Sequence, residues 1–541
     1  MTQIIGVDVG GTFTDLISFD VNSDTVRIAK VLSTPENQAF GVMKALETAE
    51  TNLPSVETLI HGTTVTTNAL LERKISRVGL ITTKGFRDVL ELGRRTRPKP
   101  YGMTGIFECI IPREFRLEVK ERIDSDGEII EPLNKNDVTK AIKQLVENGI
   151  ESLVIHFLHS YKNDIHEQIA SDIAKDLWPN SFITRGSELV TEFREYERGT
   201  TAAINAAIQP VLHNYIQRLQ QQLKEDKYSK DLLVMQGNGG TVSSSIVSDE
   251  AVKTVMSGPA SGVMAAAYTS TQCGFGHVFT YDMGGTSCDV GLIVDGIPQV
   301  TSELEIEYAM PIHVPMVDVH TIGAGGGSLA WVNDAGLLQV GPESAGAQPG
   351  PICYGRGGTK PTITDANLIL GRLNPESLLS VENPVSIETV QNKVIDDVGR
   401  DLGFKGMEET ASAIIRIANM NMAGALRLVS LARGYDPRDF VLFAFGGAGP
   451  LHAVSLAAEL GIPKVLVPMR PGITNAVGCV VADVRHDYVN SINVPLAQAN
   501  MNQVHEIFVS QIKAGKEMIA SEGIDIDEIV IIHHVDMQFQ G

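Results

Sequence analysis

An α/β fold is predicted, and three observations predict it. Strand-like and helix-like segments alternate along the chain. The pattern Asp-x-Gly-Gly-Thr-x-x-Asp occurs twice, at 8–15 and 282–289, each time between two apolar runs. A third turn, in "FVLFAFGGAGP" (440–450), joins an apolar run to a helix-like stretch.

Taken in order, residues 4–9 and 16–19 read as two strands joined by the first Gly-Gly turn, and 37–49 as a helix. The run 151–160 is a strand between amphipathic helices at 137–148 and 166–177. Polar residues 185–198 mark a soft boundary before a long helix at 200–225, which Pro210 is expected to kink or break. Residues 232–235 form a short strand, and 277–281 with 290–294 form the second hairpin. A long helix covers 408–431. The strand from 440 ends in the Gly-rich turn, a helix follows, and 464–468 returns as a strand. The last segment, "DEIVIIHHVDMQFQG", is strand-like without a turn or cap and reads as the start of a further, incomplete domain.

The 541 residues imply two to four domains. A formal charge of −21 argues against a nucleic-acid partner, which requires clustered Lys and Arg. Five scattered cysteines with no CxxC suggest neither a disulfide framework nor a zinc site, as in a reducing cytoplasm. Neither a signal peptide nor an apolar span is visible, so a cytoplasmic location with no membrane contact is expected.

The repeated turn has a chemical logic. Glycines let the backbone bend sharply and bring its N–H groups close to an anion. The Thr hydroxyl adds a donor, and an Asp at a strand end can hold Mg²⁺ against phosphates. Two copies in matching context suggest two related lobes, each gripping phosphate. No P-loop pattern occurs, and "GAGGGS" at 323–328 misses the dinucleotide fingerprint.

Two such hairpins and a late strand–Gly-Gly–helix turn resemble the ATPase fold shared by actin, Hsp70 chaperones and sugar kinases. The strings "DVGGTFTD", "HGTTVTTNALLER", "GLITTKGFRDVLELGR", "MSGPASGVMAA", "YDMGGTSCDVGLI", "GAGGGSLAW" and "FGGAGPLHA" narrow this. They resemble the hydantoinase A/5-oxoprolinase family, which includes N-methylhydantoinase A-type subunits and the acetone carboxylase β subunit. The likeness runs to about residue 487, and family members typically continue past a motif like "VDMQFQG".

The resemblance implies two lobes: an N-terminal domain at 1–190 with the first hairpin, and an ATPase domain at 191–490 with the second hairpin and the adenosine turn. Residues 491–541 would begin a C-terminal domain. It implies ATP-dependent ring opening of a cyclic amide such as a hydantoin or 5-oxoproline, by phosphorylation of the carbonyl oxygen, with a B-type subunit as partner in a hetero-oligomer. A ketone carboxylase subunit and a nucleotide-gated binding module are the alternatives. Carried over by position, Asp8 and Asp282 are expected to place Mg²⁺ and phosphate. Gly10, Gly11, Thr12 and Thr14 would grip ATP from one lobe, and Gly284, Gly285 and Thr286 from the other. Gly446, Gly447 and Gly449 would line the adenosine side.

Other residues stay open. His61, with Thr63, Thr64 and Asn68, is either an acid–base group near the substrate or part of a strand-to-helix turn. Asp15 and Asp289 could instead cap the return strands. Asp318, His313 and His320 alternate like one strand face and could present a catalytic group or a satisfied polar edge. Cys353 invites a nucleophile reading, but no base neighbours it in sequence, and a loop-lining role is expected.

Overall fold

Each repeated octapeptide folds as a tight hairpin, and each hairpin starts a sheet of the same topology. The computed structural model describes residues 3–34, 37–97, 101–102, 108–376, 378, 381, 384–524 and 526–539. In chain order the strands used below are β1 (Gln3–Val9), β2 (Phe13–Asp20), β3 (Thr25–Leu32), β4 (Val56–Thr63), β5 (Val78–Thr83), β6 (Arg116–Val119), β7 (Ser152–His156) and β8 (Ile183–Arg185). They continue as β9 (Leu232–Met235), β10 (Thr241–Ser243), β11 (Val278–Met283), β12 (Cys288–Val294), β13 (Val319–Ile322), β14 (Val441–Phe445) and β15 (Lys464–Leu466). The helices are α1 (Gln38–Thr48), α2 (Glu195–Glu225), α3 (Ser257–Gln272), α4 (Met407–Val429), α5 (Gly449–Leu460) and α6 (Thr474–Val481).

Among the described residues the first sheet runs β10-β9-β4-β1-β2-β3. Strands β1, β4 and β9 are parallel, while β2 and β3 turn back antiparallel. The second sheet repeats this plan: β11, β14 and β15 are parallel, β12 is antiparallel to β11, and β13 pairs antiparallel with β12. This duplicated topology is the actin/Hsp70/sugar-kinase-like ATPase fold. β1 is buried on both faces, as central parallel strands are, whereas β2 alternates buried and half-buried residues. The first sheet draws β9 and β10 from beyond residue 190, so its strands come from both sides of the expected boundary. A third sheet, β8-β7-β5-β6, is wholly parallel and carries its own apolar core around Ile81, Ile142, Leu153 and Phe157.

Several elements differ from the sequence reading for identifiable reasons. β2 begins at Phe13, three residues early, because the ladder resumes directly after the turn with Val9 opposite Thr14. The strand at 151–160 stops at His156, and His159 turns the chain with a φ of 55°. α2 starts at Glu195 and runs unbroken for 31 residues through Pro210. Burial of nearly every side chain from Tyr196 to Pro210 compensates for the one backbone bond that proline removes. Residues 528–539 form no strand; their side chains are exposed and no described strand lies beside them to complete a ladder. Gln540 and Gly541 lie outside the described residues. α1 follows the expected bounds because Asn37 caps it, accepting from the Ala39 N–H at 3.2 Å. No helix among the described residues is long and apolar enough to cross a membrane.

Candidate functional site

The two hairpins turn in the same way. Gly10 N–H donates to Phe13 O at 2.9 Å, and Gly284 N–H donates to Ser287 O at 3.1 Å. Register then places Asp8 opposite Asp15 and Asp282 opposite Asp289. The hairpin tips approach each other: a Cβ built on Gly285 would lie 3.9 Å from Thr12 Oγ1. Gly11, Gly284 and Gly285 are exposed at the tips, and a Cβ built on Gly11 or Gly284 would meet nothing within 4 Å. That is a surface suited to phosphate oxygens.

Behind the tips the carboxylates of both lobes converge. Asn475, at the start of α6, donates to Asp282 Oδ2 at 3.3 Å, and its side chain also draws the Asp8 carboxyl down. One amide therefore links the aspartates of the two lobes. Burial pushes Asp8 up to about 7, with the Asp15 charge adding to it. Asp282 is likewise pushed up to about 7, by burial first, then by Asp289 and by Asp8 across the cleft. Asp289 rises to about 6 through burial, offset by the Thr321 and Ser287 hydroxyls. Burial raises Asp15 as well, and Lys30, 2.6 Å away, pulls it back down. The return-strand aspartates are thus anchored, Asp15 on Lys30 and Asp289 on Thr321 Oγ1 at 2.5 Å, while Asp282 is bonded by Asn475 and Asp8 Oδ1 has no partner.

Such a cluster of mutually repelling carboxylates calls for a cation. Asp8 Oδ1 is buried without a hydrogen-bond partner, and the donor set is entirely oxygen, which suits Mg²⁺. Among the described residues no group of three or more His, Cys, Asp or Glu forms a metal cage. Phosphates and water would have to supply the remaining ligands, as is usual for Mg²⁺.

Glycines beside the two aspartates make room for them. A Cβ on Gly62, opposite Asp8 in the β1–β4 ladder, would sit 2.7 Å from Asp8 Oδ1. Gly446 has a φ of 80°, and a Cβ there would collide with Asp282 Oδ1. The third turn is tied to the second hairpin by the Ala448 N–H, which donates to Met283 O at 2.9 Å. Gly447 is exposed on that turn, and Gly449 opens α5 packed against Tyr281. Thr14 lies behind the hairpin rather than at its tip. It is fully buried and bonds Ser33 Oγ at 3.2 Å, and Ser33 in turn holds Gly10 O at 2.7 Å.

The structure does not bring His61 to these groups. Its ring is buried, its Nε2 bonds the Tyr215 hydroxyl at 2.8 Å, and burial lowers it to about 4, so it is neutral at physiological pH. Thr64 stands at the helix start, but its hydroxyl donates to Val9 O at 3.0 Å, while Thr63 Oγ1 accepts from Val65 N–H. Asn68 bonds Thr64 at 3.3 Å. His313, Asp318 and His320 diverge: His313 bonds Glu192 at 3.0 Å, Asp318 pairs with Arg433, and His320 lies on β13 opposite Val290. Cys353 is buried with its N–H on Asp365, and burial with that carboxylate raises the thiol.

Sequence reasoning missed Asn475, Gly62 and the role of 323–328. That glycine run backs the second hairpin, with Gly326 and Gly327 N–H donating to Gly284 and Gly285 carbonyls at 3.0 and 2.7 Å. The signal for Asn475 was present in "PGITNAVGC", a polar residue at a helix start flanked by glycines that permit close packing. Gly478 in that string lies against the Ser261 carbonyl of α3.

Two family models match the chain. Residues 198–488 match the Hydantoinase/oxoprolinase model, and 4–178 match the Hydantoinase/oxoprolinase N-terminal region. An uncharacterized protein of Methanocaldococcus jannaschii is 40% identical, covering 99% of this chain and 80% of that one. Caprolactamase subunit alpha of Pseudomonas jessenii is 36% identical, covering 91% and 72% of the two chains. The crystal structure of the ATP-dependent caprolactamase from that organism superposes with a TM-score of 0.86 at 34% identity, over 97% of this chain and 77% of that one. The nucleotide-free acetone carboxylase structure gives 0.79 at 27% identity, over 96% and 76%.

Proposed function

The chain belongs to the hydantoinase/oxoprolinase family, and from that premise we propose that it is the A-type subunit of an ATP-dependent cyclic-amide hydrolase. The observation that carries the reading is the pair of opposed hairpins whose Asp8 and Asp282 meet at Asn475. Gly10, Gly11 and Thr12 hold phosphate oxygens from one lobe, and Gly284, Gly285 and Thr286 from the other. Gly446, Gly447 and Gly449 face the adenosine. Asp8 and Asp282 hold Mg²⁺, which supplies charge neutralisation for the phosphates.

An amide carbonyl is a poor electrophile because its nitrogen donates into it. The carbonyl oxygen attacks the γ-phosphorus, ADP leaves, and the oxygen becomes part of a good leaving group. Water then adds to the carbon, the ring C–N bond breaks to leave an acyl phosphate, and a second water attacks its carbonyl carbon, releasing phosphate and the carboxylate. The residues of this chain orient ATP and exclude water from the first step. A separate B-type subunit in a hetero-oligomer carries the ring-opening half. His61, neutral and enclosed, supports the first sheet and takes no proton.

A second reading, an ATP-dependent ketone carboxylase subunit, is favoured by the likeness to the acetone carboxylase structure, which superposes over 96% of this chain. Mg²⁺-dependent ATP turnover with the partner subunit separates the two. Stimulation by a hydantoin, 5-oxoproline or caprolactam supports the hydrolase; stimulation only by a ketone with bicarbonate supports the carboxylase. Turnover indifferent to all of them defeats both.

A further inference from the structure

The third sheet is built like a ligand-binding domain in its own right. Its spatial order, β6-β5-β7-β8, is second-first-third-fourth in chain order. From β5 the chain moves to one side of the sheet, and from β7 to the other. In open parallel sheets such a reversal opens a crevice at the carboxyl ends of the two central strands, where ligands bind. A cavity of about 490 Å³ lies there. Phe86 and Val89 follow β5, Leu158 and His159 follow β7, and Arg122 and Arg194 complete the wall. None of its lining residues belongs to either hairpin, and its volume suits a small organic molecule.

The lining is chemically selective. The Arg122 guanidinium lies 4.9 Å from the centre of the Phe86 ring, and among the described residues no carboxylate comes within ion-pair distance of it. A guanidinium stacked on an aromatic face keeps its N–H edge free for a bidentate anion. Of the acidic residues on the wall, Glu197 is held by Arg94 at 2.7 Å and lies 3.8 Å from Arg194, and Glu195 acts on Arg198. His159 and Arg194 both have positive φ, 55° and 82°, a strained conformation for residues with side chains that concentrates at ligand sites. His159 Nδ1 is buried without a hydrogen-bond partner.

We propose that this crevice is a second ligand site, separate from the ATP cleft, for a small organic anion. The carboxylate or phosphate of that anion binds Arg122, Arg194 turns to it from its 3.8 Å pair with Glu197, and the apolar body lies against Phe86, Val89 and Leu158.

Hydrogen exchange by mass spectrometry on the full chain tests it, with benzoate and phenyl phosphate as probes at matched ionic strength. Protection is expected in 83–89, 157–161 and 193–198, and the better of the two probes identifies the head group. Arg122→Gln should weaken the half-saturating concentration about tenfold or more, the loss of a charge-assisted contact. Basal ATP turnover and unfolding temperature should be unchanged. Phe86→Ala is the second variant if Arg122→Gln unfolds. Lack of protection by either probe at about 10 mM, tenfold above a millimolar Kd, overturns the proposal. Protection confined to 8–15 and 282–289, or equal binding by Arg122→Gln and wild type, overturns it equally.

Discussion

Replacing Asp8 by Asn should stop ATP turnover and at the same time stabilise the fold at alkaline pH. Asp8 is 4% exposed, its Oδ1 has no hydrogen-bond donor, and its folded value stands at about 7 against an ordinary 3.8. The sign follows from proton uptake. Between those values the folded protein holds a proton that the unfolded chain has lost, so stability falls as pH rises through that window and levels off above about 7. Integrating the linkage gives a penalty of about 2 kcal/mol at pH 5 and about 4 kcal/mol at pH 8, present in wild type and absent in Asp8→Asn. The assay is urea unfolding of both proteins across that pH range, without Mg²⁺ or nucleotide, beside ATP turnover with Mg²⁺. The stability gap should widen with pH while turnover is lost. A gap that stays flat, or a variant less stable than wild type at pH 8, would refute the claim that Asp8 is an enclosed, strained carboxylate.

Three more outcomes are expected. Asn475→Ala removes the amide linking Asp8 to Asp282, and steady-state kinetics should show turnover down at least about tenfold, the loss of hydrogen bonds to charged groups. Gly446→Ala places a methyl group against Asp282 and strains a residue at φ 80°, so ATP affinity measured by calorimetry should fall sharply while circular dichroism is retained. His61→Gln should keep ATP turnover within about threefold and leave its pH profile in place, because the ring bonds Tyr215 and not the cleft; a larger, pH-dependent loss would return His61 to the chemistry.

The hairpins were legible because their information is local. Asp, Gly-Gly, Thr and Asp at fixed spacing between apolar runs describe a turn whose register needs nothing from elsewhere in the chain. Asn475 was not legible, since it reaches Asp282 across 193 positions of sequence. His61 misled for the converse reason: its neighbours in sequence are polar, but β4 runs beside β1 and turns the ring toward Tyr215 on α2. Pro210 misled because local propensity is overridden where a helix is enclosed on nearly all sides. The parallel order of the third sheet was hidden in the same way, since β5 pairs with β7 from more than seventy residues away.

Oxygen tracing tests the central claim most directly. A cyclic amide labelled with ¹⁸O at its carbonyl is turned over with ATP, Mg²⁺ and the partner subunit, and the released phosphate is analysed by mass. Phosphorylation of the carbonyl oxygen predicts one labelled oxygen in each phosphate. Unlabelled phosphate, with all the label kept in the ring-opened carboxylate, would contradict it.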